Sequence, residues 1–375
     1  MRTRSDDDLR LSGSGDASSR TKDGIDSVLI KRFEQRPDCQ PYTNIGDRLL
    51  IALNPNETSE LVSDEHALQY IDDYRNTSVA RDDLPPHIFR VAEQAYVHMR
   101  RTNLNQSITF LGASGSGKTE QRRLVTRFLS LIRAHSKKDS RLYARIQNAD
   151  IVLEAFTHAK TAAHNNGSRL GSYIEVQFDH RGRTVGAKTL TYLLEKSRVT
   201  HVPQGERSFH VFYYLANGAA AEDRPDYGLM QSAFEYLSRP GTVQRIVDFS
   251  DADRFQELMD AMGNVGLNHK YRRHIFAVLA SILSLGNLQF QYQKNGEESS
   301  ATVRNLDVAE HVASLLGLPV DALVSLFSTQ TKQVGSDKFT VYLDADGAAA
   351  RRDALARSLY SLLFNWLVEF LNAKL

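Results

Sequence analysis

Cysteine is nearly absent from this chain, which has a single one, Cys39, among its 375 residues. One cysteine excludes an intramolecular disulfide and any metal site built from several cysteines, and it fits a reducing compartment. The twelve histidines show no paired spacing of the H-E-x-x-H kind, so a zinc site is not expected either.

An excess of charge of one sign is also lacking, since 46 Lys and Arg residues stand against 45 Asp and Glu residues, for a net charge of +1. Such a chain has no overall electrostatic field that would attract nucleic acid or an acidic membrane.

Long apolar runs are missing too, because Ser281 and Ser284 interrupt the most apolar interior run, residues 276–285. The N-terminus, Met1-Arg2-Thr3-Arg4, leads into acidic residues. We therefore expect no signal peptide, no transmembrane segment and a cytoplasmic protein.

What the sequence does contain is an ordinary globular composition, with 41% hydrophobic and 24% charged residues, which excludes disorder throughout. Residues 1–24 have almost no apolar content and are predicted to be a disordered leader, so residues 25–375 form the folded part. Strand and helix patterns alternate there, which favours an α/β fold. Strands are predicted at 47–53, 107–111, 172–179, 183–191 and 209–215, a hairpin turn at Asn295-Gly296, and helices at 61–74, 87–101, 118–133, 149–161, 253–262, 274–285 and 348–371.

The sharpest motif is a glycine-rich loop between a predicted strand and a predicted helix. Its sequence is Gly112-Ala113-Ser114-Gly115-Ser116-Gly117-Lys118-Thr119, which matches G-x-x-x-x-G-K-[ST]. Glycines let the backbone turn tightly, so that its N–H groups face phosphate oxygens in front of a helix N-terminus. Lys118 would reach the β- and γ-phosphates, and the Thr119 hydroxyl would ligate Mg²⁺. This 112–119 loop therefore predicts nucleotide binding, and a plain flexible Gly/Ser loop is the alternative.

The segments around the 112–119 loop resemble the ATP-binding core of myosin motors, in order and spacing, from about residue 26 to the end of the chain. Besides the loop, the segments that carry the resemblance are 85–89, 95–96, 105–108, 152–156, 159–161, 166–171, 173–178, 192–199 and 285–288. The resemblance implies an α/β fold of the P-loop NTPase type, with a twisted, mainly parallel sheet and flanking helices, and Mg-ATP as the ligand. An unrelated P-loop kinase is a weaker alternative, because the lid arginines of a kinase cannot be identified.

Three segments are similar to one branch of the family, the motor-like domain that precedes the membrane-bound synthase in fungal class V chitin synthases. They are residues 99–102, 205–210 and 360–367. The resemblance implies that, in an intact parent, this domain is an ATPase that engages actin and helps to deliver or retain a chitin synthase, with a link to vesicles or membranes. Glu222-Asp223-Arg224 spells a tripeptide of chitin synthase active sites, but no transferase sequence surrounds it, so a solvated turn is predicted.

Residues 165–171 are similar to the first switch of the motors and add a second group of candidate residues. The resemblance implies a nucleotide contact by Asn166, a second protein ligand of Mg²⁺ in Ser168, and catalytic roles for Gly167 and Arg169. Arg169 would be the cation that closes the site around attacking water. The alternative is a polar loop between a helix and a strand.

Four positions depart from the family pattern. The motors carry Glu where this chain has Ala113, Asn where it has His164, Ser where it has Gly167, and an aromatic residue at the position of Val62, eight residues after Asn54. By the resemblance, phosphate and magnesium contacts are retained while base contacts and water positioning are weakened. Poor turnover is then expected, because phosphoryl transfer depends on positioning. A degenerate motor that serves as a tether or regulatory module is the alternative function.

By the resemblance, Leu375 is expected to lie before the place of the family's second switch, and the main actin-binding elements of the family are expected to be absent from these residues too. Residues 25–375 are therefore expected to be the N-terminal part of a motor-like domain. In the family, the strand of the second switch lies beside the strand that corresponds to 107–111. Without it, unpaired backbone groups and apolar faces are expected to be exposed. The terminal Ala373-Lys374-Leu375 resembles a peroxisomal signal and is expected to be accidental.

Overall fold

The computed structural model describes residues 30, 41–46, 48–55, 60–75, 84–132, 137–230, 233–247, 250–295, 298–334 and 336–375. The predicted leader and Cys39 lie outside these residues. The chain divides into two compact units. Unit 1 contains the described residues up to Tyr143 together with Val176–Val185, and unit 2 contains Ala144–Glu175 and Gly186–Leu375.

Unit 1 is built from one hairpin and three main helices. Its elements are β1 (Tyr42–Ile45), β2 (Leu49–Ala52), α1 (Asp64–Arg75), α2 (Ile88–Thr102) and α3 (Lys118–Leu131). The strands β1 and β2 pair antiparallel. Helix α2 begins at a cap made by His87, whose Nδ1 accepts a hydrogen bond from the N–H of Phe89 at 3.1 Å. The core lies between α2 and α3, where the fully buried rings of Phe89 and Phe128 stack with centroids 5.4 Å apart.

Unit 2 contains the remaining helices and most of the hairpins. Helix α4 (Lys137–Thr157) starts in unit 1 and ends in unit 2, and the hairpin of β5 and β6 has its tip in unit 1. The elements from α4 onward are β3 (His158–Ala159), β4 (Gly167–Ser168), β5 (Gly171–Phe178), β6 (Thr184–Tyr192), α5 (His210–Gly218), α6 (Glu235–Ser238), α7 (Asp251–Asn264), α8 (His269–Gly286), β7 (Phe290–Asn295), β8 (Glu298–Val303), α9 (Leu306–Leu316), α10 (Val320–Ser328), β9 (Thr329–Val334), β10 (Asp337–Tyr342) and α11 (Ala345–Asn372).

The long helix α11 passes through the core of unit 2. It begins at Asp344, whose side chain accepts a hydrogen bond from the N–H of Gly347. Tyr360 is fully buried at its centre, stacks on Phe209 with ring centroids 5.0 Å apart, and donates its hydroxyl to the carbonyl of Phe156 at 2.6 Å. The helix is thereby attached both to the end of α4 and to the segment that precedes α5.

The mixed helix-and-strand composition is confirmed, but the expected large parallel sheet is not found among the described residues. Their strands form five two-stranded sheets, and the registers of four of these are antiparallel. The predicted strand 107–111 has no regular secondary structure and belongs to no sheet of the described chain. Ile108 and Phe110 pack against the core of unit 1, whereas Leu111 is 88% exposed. A parallel strand needs a neighbour joined by a crossover connection, and the described residues provide none here.

Most predicted helices are confirmed, but the predicted strand at 209–215 is wrong. This segment is the helix α5, and Phe209 alone makes a β-bridge, to Ala159. A short apolar run cannot be assigned from periodicity when every face is buried, as residues 211–215 are here. The predicted helix at 149–161 also ends earlier, at Thr157, and β3 follows directly.

No single helix of the described residues is long and apolar enough to cross a bilayer. Helices α9 and α10 reach that composition only as a pair, and they are bent by 117° relative to each other.

Candidate nucleotide-binding site

The 112–119 loop lies in unit 1, between segment 103–111, which has no regular secondary structure, and the first turn of α3. Three of its glycines have positive φ angles, namely 152° at Gly112, 76° at Gly115 and 89° at Gly117. These values favour glycine over residues with a side chain. A Cβ atom at Gly112 would also lie 2.5 Å from the Oγ of Ser116, so a side chain at this position would require Ser116 to shift.

Lys118 folds back over the 112–119 loop. Its Nζ donates hydrogen bonds to the carbonyl of Gly112 at 2.8 Å and to that of Ala113 at 2.6 Å. Lys118 is also the first residue of α3, whose first N–H groups have no acceptor within the helix. The ammonium group and the positive end of the helix dipole therefore act at one place, which suits an anion.

The remaining predicted residues of this group differ in exposure. Ala113 and Ser114 are exposed, and Thr119 is half-buried in the first turn of α3. The Oγ of Ser116 is buried and has no hydrogen-bond partner within the described residues. A buried hydroxyl in this state is costly, so it is a group that a ligand oxygen could satisfy.

Asn54 is a contact of the loop that the sequence alone did not indicate. Its Nδ2 donates to the carbonyl of Gly115 at 3.0 Å, and its side chain lies 3.7 Å from where a Cβ of Gly117 would be. The Asn54 amide therefore lies against the turn of the 112–119 loop.

The second group of predicted residues lies in unit 2, at a short pair of antiparallel strands. In the register of β3 and β4, His158 faces Ser168 and Ala159 faces Gly167, so residues 160–166 form the loop between them. This 160–166 loop is closed by Thr161, whose N–H donates to the carbonyl of His164 at 2.8 Å and whose Oγ1 accepts from the N–H of His164 at 3.1 Å.

Asn166 is held at both ends of its amide. Its Nδ2 donates to Oε1 of Glu154 at 2.7 Å, and its Oδ1 lies 3.2 Å from Nε2 of His210. Burial, reinforced by the positive charge of Arg207, lowers the pKa of His210 to about 3. The imidazole is therefore neutral near pH 7, and its Nε2–H is the donor to Asn166.

Ser168 and Arg169 also bind groups of unit 2. The Ser168 hydroxyl donates to the carbonyl of Leu170 at 3.1 Å. The Nη1 of Arg169 lies 3.9 Å from Oε2 of Glu195, and the N–H of Glu195 donates to the carbonyl of Arg169 at 3.1 Å. A Cβ on the buried Gly167 would lie 3.2 Å from Nη2 of Arg169, so the small residue makes room for the guanidinium.

The structure thus gathers the predicted residues into two groups, one around the 112–119 loop in unit 1 and one around the 160–166 loop in unit 2. The sequence did not identify Glu195, Arg198 and Glu206 as neighbours of the second group. The spacing of Glu195 and Arg198, three residues apart, was an available signal of an ion pair. Within the described residues, no three His, Cys, Asp or Glu side chains are grouped so that they could hold a metal ion.

The tripeptide Glu222-Asp223-Arg224 lies in a turn, as predicted, with both carboxylates exposed. Arg224 donates to the carbonyls of Ala216 and Leu229 at 2.9 Å, which is a structural role.

Known proteins match this chain over nearly its whole length. A model of the myosin head (motor domain) family matches residues 22–375. Chitin synthase 8 of Mycosarcoma maydis is 42% identical over 361 residues, which are 95% of this chain and 18% of that protein. Chitin synthase 5 of Cryptococcus neoformans is 35% identical over 366 residues, 93% of this chain and 19% of that protein. Myosin IC heavy chain of Dictyostelium discoideum is 35% identical over 367 residues, 95% of this chain and 30% of that protein. The chain spans less than a third of the length of these relatives.

Proposed function

Because the chain belongs to the myosin head (motor domain) family, we propose that it binds Mg-ATP through the 112–119 loop. The observation that carries this proposal is the shape of the loop, in which three glycines with positive φ lead into the N-terminus of α3 and Lys118 lies over the bend. In this proposal the backbone N–H groups hold the phosphates, and Lys118 exchanges the loop carbonyls for the β- and γ-phosphates.

The donor set fits magnesium, which prefers oxygen ligands. Thr119 is half-buried in the first turn of α3, and the Ser168 hydroxyl donates to the carbonyl of Leu170 at 3.1 Å. A hydroxyl ligates a metal ion through the lone pairs of its oxygen, so Ser168 could do so while it donates to Leu170. Bound Mg²⁺ would neutralise charge on the phosphates. Arg169 would supply a further cation, and Asn166 and Gly167 would shape the loop that carries it.

For the intact parent we propose actin-linked delivery or retention of a fungal chitin synthase. Support comes from the two chitin synthases among the relatives, which match this chain at 42% and 35% identity. Actin is the partner implied by the family. The domain would then work in the cytoplasm, beside a membrane that holds the synthase.

A second candidate is a degenerate motor that binds nucleotide, hydrolyses little and acts as a tether or regulatory module. A specific observation favours it, since Glu154 and His210 occupy both ends of the Asn166 amide. An Asn166 held in this way is less available to a nucleotide. Ala113, His164 and Gly167, which depart from the family pattern, also favour the degenerate motor.

The first test is a titration of the chain with a fluorescent ATP analogue in the presence of Mg²⁺. We expect saturable binding that Lys118→Ala weakens tenfold or more, because a charge-assisted contact to phosphate is lost. Lys270→Ala, a change at an exposed lysine of α8, is the matched control and should leave the affinity unchanged. Equal affinities of all three proteins would contradict the proposal.

The two candidate functions are separated by phosphate release from ATP, measured with and without actin filaments on a protein extended toward the full length of the relatives. Release at ordinary motor rates that actin stimulates would eliminate the tether function. Analogue binding without stimulated release would support it.

A further inference from the structure

Arg198 is a buried arginine that the proposed function does not use. It lies in the short 3₁₀ turn Lys196–Val199 after β6, and its side chain is only 3% exposed. The guanidinium binds both carboxylate oxygens of Glu195, at 3.0 and 3.1 Å. Its Nη1 also forms an ion pair with Glu206 at 2.7 Å and donates to the carbonyl of Arg207 at 3.0 Å. Arg198, Glu195 and Glu206 together are called the Arg198 network.

The two carboxylates of the Arg198 network contact the chain on either side of the 160–166 loop. One contacts a residue near the start of the loop, and the other contacts the residue that follows β4. Glu206 accepts a hydrogen bond from the N–H of Ala162, near the start of the loop, at 3.2 Å. Glu195 pairs with Arg169, just after β4, through its carboxylate at 3.9 Å and through its own N–H at 3.1 Å. Residues 162 and 169 are thus joined across the loop through one guanidinium.

The chemistry of this arrangement requires arginine. The planar guanidinium offers five N–H donors in a fixed fork and makes four contacts here, with two carboxylates and a carbonyl, whereas a lysine ammonium has only three N–H donors and no fork. The Glu206 carboxylate remains charged, because burial alone would raise its pKa but the contacts with Arg198 and Ala162 outweigh burial and lower the pKa. Removal of one partner from a buried ion pair of this kind destabilises the fold, because the remaining charge stays buried and unpaired.

We propose that Arg198 is a positioning residue for the 160–166 loop, which it holds at both ends through Glu195 and Glu206. Asn166, Ser168 and Arg169 are then presented in one arrangement, and nucleotide leaves slowly. The effect on nucleotide rests on the proposed function, whereas the effect on the loop does not.

The test compares Arg198→Lys with Arg352→Lys. Arg352 is a matched control in the same unit, because it is partly buried, pairs with Asp353 and donates to the carbonyl of Leu288, with no described contact to the loop. The first measurement is hydrogen–deuterium exchange of peptides that cover residues 158–170, without nucleotide. We expect Arg198→Lys to accelerate exchange there tenfold or more, and Arg352→Lys to leave it unchanged. The second is the dissociation rate of the fluorescent ATP analogue, which Arg198→Lys should raise at least fivefold.

Equal exchange of residues 158–170 in both variants would overturn the proposal, as would an acceleration spread evenly over unit 2, which indicates a general structural role. If the wild-type chain binds no analogue, the proposed function fails while the exchange comparison still decides the role of Arg198. If Arg198→Lys does not fold, Glu206→Gln replaces it. The glutamine can still accept from Ala162 but cannot pair with the guanidinium, and we expect the same local acceleration around residue 162.

Discussion

The side-chain amide of Asn372 forms two hydrogen bonds of 2.8 Å with the backbone of Thr189. Its Nδ2 donates to the carbonyl and its Oδ1 accepts from the N–H. The amide therefore pairs with the strand β6 as a backbone peptide would, and it attaches the end of α11 to that strand. Thr189 is buried, so both backbone groups need a partner.

We predict that Asn372→Ala destabilises the chain by about 1–3 kcal/mol, because two backbone groups of Thr189 lose their partner. Urea denaturation followed by circular dichroism measures this loss. Asn372→Asp keeps the acceptor for the N–H but places an oxygen against the carbonyl of Thr189, so it should not restore the stability. Stability equal to wild type in both variants would show that water replaces the amide without cost.

Contacts of this kind mark the limit of what the sequence could predict. Asn372 and Thr189 are 183 residues apart, and nothing near either residue indicates the other. Local signals worked where they depend on a few neighbouring residues: the glycine positions of the 112–119 loop, the strands β5 and β6, and most of the helices. The antiparallel pair of β3 and β4 was not predicted, because its strands have two residues each.

The candidate site was predicted in part for the same reason. The positive φ angles of the 112–119 loop agree with its glycines, since backbone geometry is a local property. The partners of Asn166 and Arg169 come from distant segments, Glu154, His210 and Glu195, and only the folded chain reveals them. The segment 107–111 has the apolar pattern of a strand, but such a pattern does not determine which other strand it pairs with.

Leu193 is a strained position on the surface of unit 2. It has a φ of 55° and its side chain is 93% exposed. The left-handed conformation costs a residue such as leucine about 1–2 kcal/mol, whereas asparagine tolerates it. We predict that Leu193→Asn raises the free energy of unfolding by about 1 kcal/mol, measured by urea denaturation. Leu193→Ala keeps the unfavourable φ and should give no such gain, so equal effects of the two changes would contradict this explanation.

His87 makes the stability of unit 1 depend on pH. Burial, with a smaller contribution from the charge of His66, lowers its pKa to about 3, and the His66 ring lies 5.0 Å away. Between pH 6.5 and 3 the unfolded chain therefore binds a proton that the folded chain does not. Stability is complete above about pH 6.5 and declines as the pH falls toward 3. The urea midpoint of unit 1, measured as a function of pH, should show this decline.

The matched variants for this prediction are His87→Asn and His98→Asn. Asparagine can still cap α2 at position 87 but does not titrate, so the decline between pH 6.5 and 3 should become shallower. His98 is exposed on the same helix, and its replacement should leave the pH profile as it is in the wild type. A profile that His87→Asn leaves unaltered would assign the decline to other groups.

A substitution at Gly112 tests whether the bend of the 112–119 loop matters for nucleotide binding, apart from the stability cost of its backbone conformation. Gly112→Ala places a Cβ at a φ of 152° and 2.5 Å from Ser116 Oγ, whereas Gly46→Ala, in the turn between β1 and β2, places one at a φ of 58° with no atom within 4 Å. Both changes should lower stability, by about 1–2 kcal/mol for the left-handed φ at position 46 and by about 1–3 kcal/mol for the sparsely populated φ at position 112. Only Gly112→Ala also places a Cβ against Ser116, so that Ser116 or the backbone of the bend must shift. It should weaken binding of the fluorescent ATP analogue tenfold or more, while Gly46→Ala leaves the affinity unchanged. If Gly112→Ala binds the analogue as tightly as the wild type, the bend of this loop does not hold the phosphates.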